Sequence, residues 1–261
     1  MGLMDSAAKL LDPYERKARL LPGLLLTLPA SLSVMALWVD GQVWQKAILA
    51  LCGTCGVPFL IANITRDAGK KLETKLVKKW GGLPSTIMLR HSDDYFDSHT
   101  KKQYHNALSR GTGVTMPTAA EEAADREAAD AAYRAAGLWL REKTKDRRKF
   151  NHVFRENITY GFRRNITGLK YQGALLAFAC AGLLALRPAT SYFNTRNLEQ
   201  ALHQLTSFQF VALLTALVFT FVWLTCFSEA SLRRTGEAYA DRLIRASKEI
   251  RSVKKASLET A

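Results

Sequence analysis

Basic and aromatic side chains alternate along residues 143–170, which read KTKDRRKFNHVFRENITYGFRRNITGLK. Lys and Arg contact phosphates, and aromatic rings offer a face on which a nucleobase can stack, for about 1–3 kcal/mol per base. The residues predicted to contact such a ligand are Arg147, Arg148, Lys149, Phe154, Arg155, Tyr160, Phe162, Arg163 and Arg164. This alternation favours a binding site for a nucleotide or a short single-stranded oligonucleotide.

Two other interpretations fit the same segment. A cluster of Lys and Arg beside a membrane attracts anionic lipid, for about 1 kcal/mol per residue. Aromatic side chains can also form the core of a small domain, in which case the alternation reflects folding alone. Residues 143–170 are therefore a candidate for ligand binding, for lipid contact or for packing.

Chemically reactive side chains also occur at residues 90–94, where Arg-His-Ser-Asp-Asp is followed by His99 and His105. A hydrolase at the membrane surface could use such a group. However, no spacing matches H-E-x-x-H or a paired C-x-x-C zinc motif, and neither common glycine-rich phosphate-binding motif is present. Cys52 and Cys55 fit a small-residue helix surface better than a metal site. We therefore expect no catalytic residues, metal or cofactor, with the hydrolase as an alternative.

Four apolar segments determine the architecture around these residues. They cover residues 20–39, 44–64, 169–186 and 208–227, and a helix of about 20 apolar residues can cross a bilayer. None of them contains Asp, Glu or Arg, and a charged residue would cost about 2.5–3.5 kcal/mol at the bilayer centre. No segment alternates with the period of two that a half-buried strand requires. The sequence thus predicts an all-α polytopic membrane protein with four transmembrane helices in two hairpins.

The apolar segments divide the chain into five parts. These are an amphipathic N-terminal arm (residues 1–19), a first transmembrane hairpin (20–64), a helical cytoplasmic domain (65–168), a second transmembrane hairpin (169–227) and an amphipathic C-terminal cytoplasmic helix (228–261). Of the 37 Lys and Arg residues, all but Lys46, Arg187 and Arg196 lie in the arm, in residues 65–170 or after residue 227. Because cytoplasmic loops carry the excess of Lys and Arg, we expect both termini and the central domain in the cytoplasm.

Local patterns predict several helix boundaries in the polar parts. The second span should continue as a polar helix to Trp80, where two glycines stop it. Residues 92–113 are polar and are expected to be loop-like toward their end. A capping box at Thr118–Glu121 should start one long Ala-rich helix over residues 119–145. The C-terminal helix is amphipathic, so it needs a partner helix, either in the central domain or in another subunit.

Three phrases of the sequence carry a family resemblance: residues 13–22 (PYERKARLLP), 80–86 (WGGLPST) and 156–165 (ENITYGFRRN). They resemble the transmembrane effectors of the Hailong anti-phage defence systems of bacteria. The resemblance implies an ion-channel-like homo-oligomer in the bacterial inner membrane, with a tetramer favoured. It also implies that a partner nucleotidyltransferase makes a short DNA oligomer that holds the effector shut. No site residue is carried over from the family.

These observations combine into one leading hypothesis, a ligand-gated membrane effector whose basic domain binds an anionic oligonucleotide. Gly53, Gly56, Gly173 and Gly182 offer surfaces for close helix packing between copies. Candidate pore positions are Thr27, Ser31, Ser33, Thr215, Thr220 and Thr225. For any single one of these hydroxyls, packing between helices is favoured over a place in a pore. A membrane-surface hydrolase and a lipid-binding membrane scaffold are the alternative functions.

Overall fold

A computed structural model of the protein describes residues 12–37 and 57–259. Within these ranges every regular element is a helix and no strand occurs, which confirms the all-α prediction. The first helix, α1 (Leu21–Leu37), follows a π-helical segment, Glu15–Leu20. The other helices are α2 (Val57–Trp80), α3 (Pro84–Leu89), α4 (Ser98–Thr112), α5 (Ala119–Ala124), α6 (Arg126–Lys143), α7 (Asn151–Gly168), α8 (Lys170–Thr195), α9 (Leu198–Leu202), α10 (Ser207–Thr225) and α11 (Glu229–Glu259).

The chain forms two compact units. The first, which we call the apolar unit, comprises Met1–Leu72 and Gly161–Glu229. The second, the polar unit, comprises Glu73–Tyr160 and Ala230–Ala261. Because α2 and α7 each run across a boundary, both helices supply residues to both units.

Three helices of the apolar unit are long and apolar enough to cross a membrane. They are Glu15–Leu37, which joins the π-helical segment to α1, Lys170–Thr195 and Ser207–Thr225. They correspond to the first, third and fourth predicted spans. The second predicted span, residues 44–64, lies largely outside the described residues, whose description resumes at the start of α2. The three helices support a membrane-embedded protein, as the sequence predicts.

Small side chains fill the inside of the apolar unit, and large ones cover its outside. Ala177 of α8 and Ala216 of α10 are fully buried. The large ring of Trp223 is also buried, and it fits against Gly173, where a Cβ would lie 2.3 Å from the ring. Exposed apolar side chains on the same two helices include Tyr171, Leu175, Phe178, Val218 and Phe221. This arrangement suits a bilayer, because membrane helices associate through small residues while lipid solvates the large apolar ones.

The core of the polar unit is built from α3, α4, α6 and α11. Its fully buried side chains include Leu89, Leu108, Tyr133, Leu140, Leu243 and Ile244. Leu243 and Ile244 belong to α11, so the amphipathic C-terminal helix packs on the central domain of its own chain. The central domain of the same chain is one of the two partners that the sequence left open.

Glycine and capping signals act where the sequence predicts them. Helix α2 is closed by Gly81 and Gly82, whose φ angles are +78° and +148°. The Gly82 N–H donates to the Val77 carbonyl at 2.9 Å, a C-terminal cap that requires residues tolerant of positive φ. The capping box at Thr118–Glu121 also forms, with both of its reciprocal hydrogen bonds.

Helix α4 continues to Thr112, through the end of residues 92–113 that was expected to be loop-like. The Asp97 carboxylate accepts the Thr100 N–H at 2.8 Å and so caps the start of the helix. Tyr104 and Leu108 are buried on its inner face. The cap and this spacing of four residues are the signals of a short amphipathic helix within a polar segment.

The Ala-rich helix predicted over residues 119–145 is divided into α5 and α6. The break lies at Asp125, whose carboxylate accepts the Ala128 N–H at 3.0 Å and caps the start of α6. A short acidic side chain competes with the helical backbone for hydrogen bonds, which explains why high alanine content did not keep one helix continuous.

Candidate ligand-binding site

Residues 144–150 form the turn that joins α6 to α7. Asp146 shapes this turn, because its carboxylate accepts the backbone N–H groups of Arg148 (2.9 Å) and Lys149 (3.3 Å). Phe150 is buried in the core of the polar unit and anchors the far end of the turn. The backbone is thus held in place while the cationic side chains between these residues stay exposed.

Five exposed cations gather on and just after this turn. We call them the basic turn: Lys145, Arg147, Arg148, Lys149 and Arg155. The Arg147 guanidinium lies 4.6 Å from the ring centroid of Phe154, a cation–π contact. Lys145 pairs with Glu142 at 2.5 Å, an exposed ion pair of a kind that is worth at most about 1 kcal/mol. The basic turn can therefore bind phosphate oxygens, with a guanidinium and a ring beside them for a planar base.

Two aromatic residues of the predicted site serve packing instead. Tyr160 is buried, and its hydroxyl donates to the Glu73 carboxylate at 2.6 Å. Its ring stacks on Tyr239, with ring centroids 6.1 Å apart. Phe162 is half-buried against the core of the apolar unit. For these two rings the packing interpretation fits better than base stacking.

Two arginines of the predicted site lie near the end of α7, in the apolar unit. Arg163 is half-buried, whereas Arg164 is buried and its Nε donates to the Asn165 amide oxygen at 3.1 Å. The predicted contact residues are therefore divided between the two units, and only those up to Arg155 belong to the basic turn and its aromatic neighbour Phe154. The sequence did not single out Asn165, because a polar residue that follows two arginines resembles a solvent-exposed position.

Glu122 organises the region around His91. Its carboxylate accepts four hydrogen bonds, from the backbone N–H groups of His91 (2.7 Å) and Ser92 (3.1 Å) and from the hydroxyls of Ser92 (2.9 Å) and Tyr133 (2.8 Å). Burial by itself would raise the pKa of this carboxyl, but the four donors favour the ionised form and lower the pKa to about 2. Glu122 therefore stays charged near neutral pH and fixes the segment that follows α3.

The histidines of this region also make local contacts. The rings of His91 and His105 meet edge to face at 4.9 Å. Nε2 of His91 lies 3.0 Å from the Pro117 carbonyl oxygen, and Nε2 of His105 lies 2.8 Å from that of Leu89. Burial lowers the pKa of His105, which keeps its ring neutral. Among the described residues no group of three His, Cys, Asp or Glu side chains could hold a metal ion.

Five of the six candidate pore hydroxyls bond within their own helices, and the sixth, Ser31, is exposed. Ser33 is buried and donates to the Pro29 carbonyl at 2.8 Å, and Thr220 donates to the Ala216 carbonyl at 2.8 Å. The same kind of contact is made by Thr27, Thr215 and Thr225. A hydroxyl satisfied in this way can face another helix or lipid at little cost, so these positions do not by themselves define a pore.

The regions that the sequence singled out differ in what they offer a ligand. The donors and acceptors around His91, and the hydroxyls of the apolar helices, are engaged in local contacts. The cations of the basic turn are exposed to solvent even where they make local contacts, so this turn is the better candidate for a binding site. Comparison with known proteins does not assign a family, since no protein-family model, curated protein or solved structure matches the chain.

Proposed function

We propose that this protein is a gated, ion-channel-like membrane effector that stays closed while a short single-stranded oligonucleotide binds its cytoplasmic domain. In this proposal residues 44–64 form a fourth span, the spans pair as two hairpins, and both termini lie in the cytoplasm of a bacterial cell. The Hailong resemblance supports a tetrameric homo-oligomer in anti-phage defence. It also supports a DNA ligand made by a partner nucleotidyltransferase, while the basic residues beside the membrane contact anionic lipid.

The basic turn is the observation that carries this proposal. Its five cations are exposed and closely spaced along the chain, and Asp146 is engaged by backbone N–H groups within the turn. A single strand that neutralised all five would give a salt dependence of binding with a slope near 3.5, at about 0.7 per phosphate. Such a surface favours a polyanion with several phosphates over a ligand with one.

The pair of Arg147 and Phe154 adds a second kind of recognition. The guanidinium of Arg147, 4.6 Å from the Phe154 ring centroid, presents a planar surface beside the other cations. A nucleobase can stack on that surface for about 1–3 kcal/mol, with little dependence on which base it is. This favours an oligonucleotide over a polyphosphate or an anionic polysaccharide.

Ligand binding can control opening because it is thermodynamically linked to the equilibrium between the closed and the open state. A ligand shifts a closed–open equilibrium only by the ratio of its affinities for the two states. Moving the population from 1:99 to 99:1 in favour of the closed state requires about a 10⁴-fold preference. Variants that bind the oligonucleotide more weakly should therefore open the pore in proportion to the affinity that they lose.

The direct test replaces two exposed cations of the basic turn. Because each neutralised phosphate contributes about 0.7 to the salt slope, Arg148→Ala with Lys149→Ala should lower that slope by about 1.4. Binding should weaken by about tenfold or more, which corresponds to 1.4 kcal/mol. Fluorescence anisotropy with a labelled single-stranded oligonucleotide, on the full chain in nanodiscs, measures both quantities.

A matched control removes the same charge elsewhere on the polar unit. Arg126 and Arg134 are exposed on α6, and at 1.5 Å per residue Arg126 lies about 25 Å along the helix from its last residue. The double alanine variant at these positions should bind as the unmodified protein does. Equal losses in both double variants would contradict a site at the basic turn. Binding to anionic vesicles without any oligonucleotide binding would instead favour the lipid-binding scaffold.

A further inference from the structure

Asn165 is a fully buried polar side chain within the apolar unit. Its amide Nδ2 donates to the Ala18 carbonyl at 2.6 Å, and its Oδ1 accepts from the Arg164 Nε at 3.1 Å. Both contacts require the same orientation of the amide, since a flipped side chain would set oxygen against oxygen and N–H against N–H. Asn165 therefore joins the last turns of α7 to the backbone that precedes the first span.

Glycines bring the backbones together around this side chain. A Cβ at Gly69 of α2 would lie 2.0 Å from the Asn165 Oδ1. A Cβ at Gly168 would lie 2.8 Å from the Ala68 carbonyl group, and one at Gly161 would lie 3.1 Å from the Ala18 Cβ. Three segments of the apolar unit thus meet with no room for larger residues, and Asn165 fills the point where they meet.

The segment that Asn165 holds has an unusual backbone. Ala18 lies in the π-helical segment Glu15–Leu20, and the Leu21 N–H donates to the carbonyl of Arg16, five residues earlier. The π-helix is rare, occurs mostly as single turns and is frequent at functional sites. Its conversion to α-helix would change the register by about one residue, which is a rotation of about 100° between α1 and the chain before it.

A second polar side chain close to this contact is not satisfied by it. Thr65 is fully buried, and its hydroxyl has no hydrogen-bond partner. It lies beside the start of α1, where a Cβ at Gly23 would be 2.9 Å from its Oγ1. A buried hydroxyl without a partner destabilises the packing around it, which lowers the cost of releasing this contact.

We infer that Asn165 is a positioning residue that holds the π-helical segment before α1, and that loss of its contact with Ala18 releases α1. The link between this contact and the ligand rests on the proposed function. Helix α7 is a single helix that follows the basic turn and ends near Asn165. Ligand binding at the start of α7 would stabilise the held state, and ligand loss would release it.

The first test is local and needs no channel activity. Asn165→Asp keeps the shape and the acceptor for Arg164, but the ionised side chain cannot donate to the Ala18 carbonyl. Backbone amides of residues 16–23 should then exchange with deuterium at least about tenfold faster, measured on the full chain in nanodiscs by mass spectrometry. Asn106→Asp, on the exposed side of α4, introduces the same charge and should leave this exchange unchanged. Unchanged exchange in Asn165→Asp would overturn the inference.

The second test does not depend on how well that variant folds. Cysteines at Ala18 and Gly161, in a background without the four native cysteines, would place their Cβ atoms close to the 3.5–4.5 Å typical of a disulfide. Oxidation should lock the held state and abolish ion flux from reconstituted liposomes without oligonucleotide, and a reductant should restore it. If the reduced and the oxidised protein conduct equally, the inference is wrong. If the unmodified protein does not conduct, the proposed function fails, and the exchange experiment still decides the role of Asn165.

Discussion

At the scale of single residues, buried polar groups keep the charge state that their partners can satisfy. Glu122 is ionised because four donors surround it, which holds its pKa near 2 despite burial. His105 is neutral because burial disfavours the imidazolium form more strongly than the contact of its Nε2 with the Leu89 carbonyl oxygen favours it. Both groups tie the segment after α3 to the core, so the stability of the polar unit should depend on pH.

We expect the folded protein to lose stability as the pH falls below about 6.5. His105 titrates near 6.5 in the unfolded chain, while burial lowers the pKa of His105 in the folded protein. The unfolded chain therefore binds the proton first, and the free energy of unfolding decreases between pH 6.5 and the lower, folded pKa. Tm of the full chain in detergent, measured at pH 7.5 and 5.5, should fall less for His105→Gln than for the unmodified protein.

A histidine on the same helix provides the control. His99 is exposed on α4, so His99→Gln should keep the full pH dependence. If both variants respond to pH as the unmodified protein does, burial of a neutral His105 is not the source of the effect.

At the scale of secondary structure, two glycines of α8 make a matched pair. A Cβ at Gly173 would lie 2.3 Å from the ring of Trp223, whereas none of the described atoms lies within 4 Å of a Cβ at Gly182. Gly173→Ala should therefore cost about 1–3 kcal/mol through overpacking, and Gly182→Ala should be nearly neutral. Thermal unfolding of the purified protein measures both, and equal losses would contradict this packing of α8 against α10.

The elements with the strongest sequence signals were located correctly, although α8 runs to Thr195, well beyond the predicted end of the third span at residue 186. Apolar length located three spans, and the glycine pair after Trp80 and the box at Thr118–Glu121 gave the expected helix ends. The prediction failed where one short side chain decides the outcome. Asp97 starts α4 in a polar segment whose end was expected to be loop-like, and Asp125 breaks a helix that alanine content favours. Helix propensity averaged over many residues does not reveal a helix start that depends on one capping side chain.

The sequence also could not predict which aromatic residues of the candidate site are buried. The alternation of cations and aromatic residues does not reveal which rings a fold buries. Tyr160 bonds to Glu73, far away in sequence, and this contact could not be read from the spacing of residues 143–170. Cations on a turn are more predictable, because desolvating a charge without a partner is costly and keeps such side chains exposed. The basic turn is accordingly the part of the predicted site that faces solvent.

At the scale of the whole molecule, the distribution of charge makes a topology prediction. Positive residues concentrate in the parts assigned to the cytoplasm, so Lys102→Cys on α4 and Asn194→Cys near the end of α8 should lie on opposite sides of the membrane. Both positions are exposed. In a background without native cysteines, a membrane-impermeant thiol reagent added to intact cells or spheroplasts should label position 194 only. Labelling of position 102 under the same conditions would contradict the orientation.

Ion flux through reconstituted protein tests the central claim most directly. Liposomes that contain the purified full chain should release a trapped ion without oligonucleotide, and a short single-stranded oligonucleotide on the cytoplasmic side should suppress that release. Half-suppression should require higher oligonucleotide concentrations as salt rises, because phosphate contacts are screened. The Arg148→Ala and Lys149→Ala double variant should conduct at oligonucleotide concentrations that close the unmodified protein. Efflux equal to that of protein-free liposomes, or efflux that no oligonucleotide changes, would contradict a channel held shut by ligand binding at the basic turn.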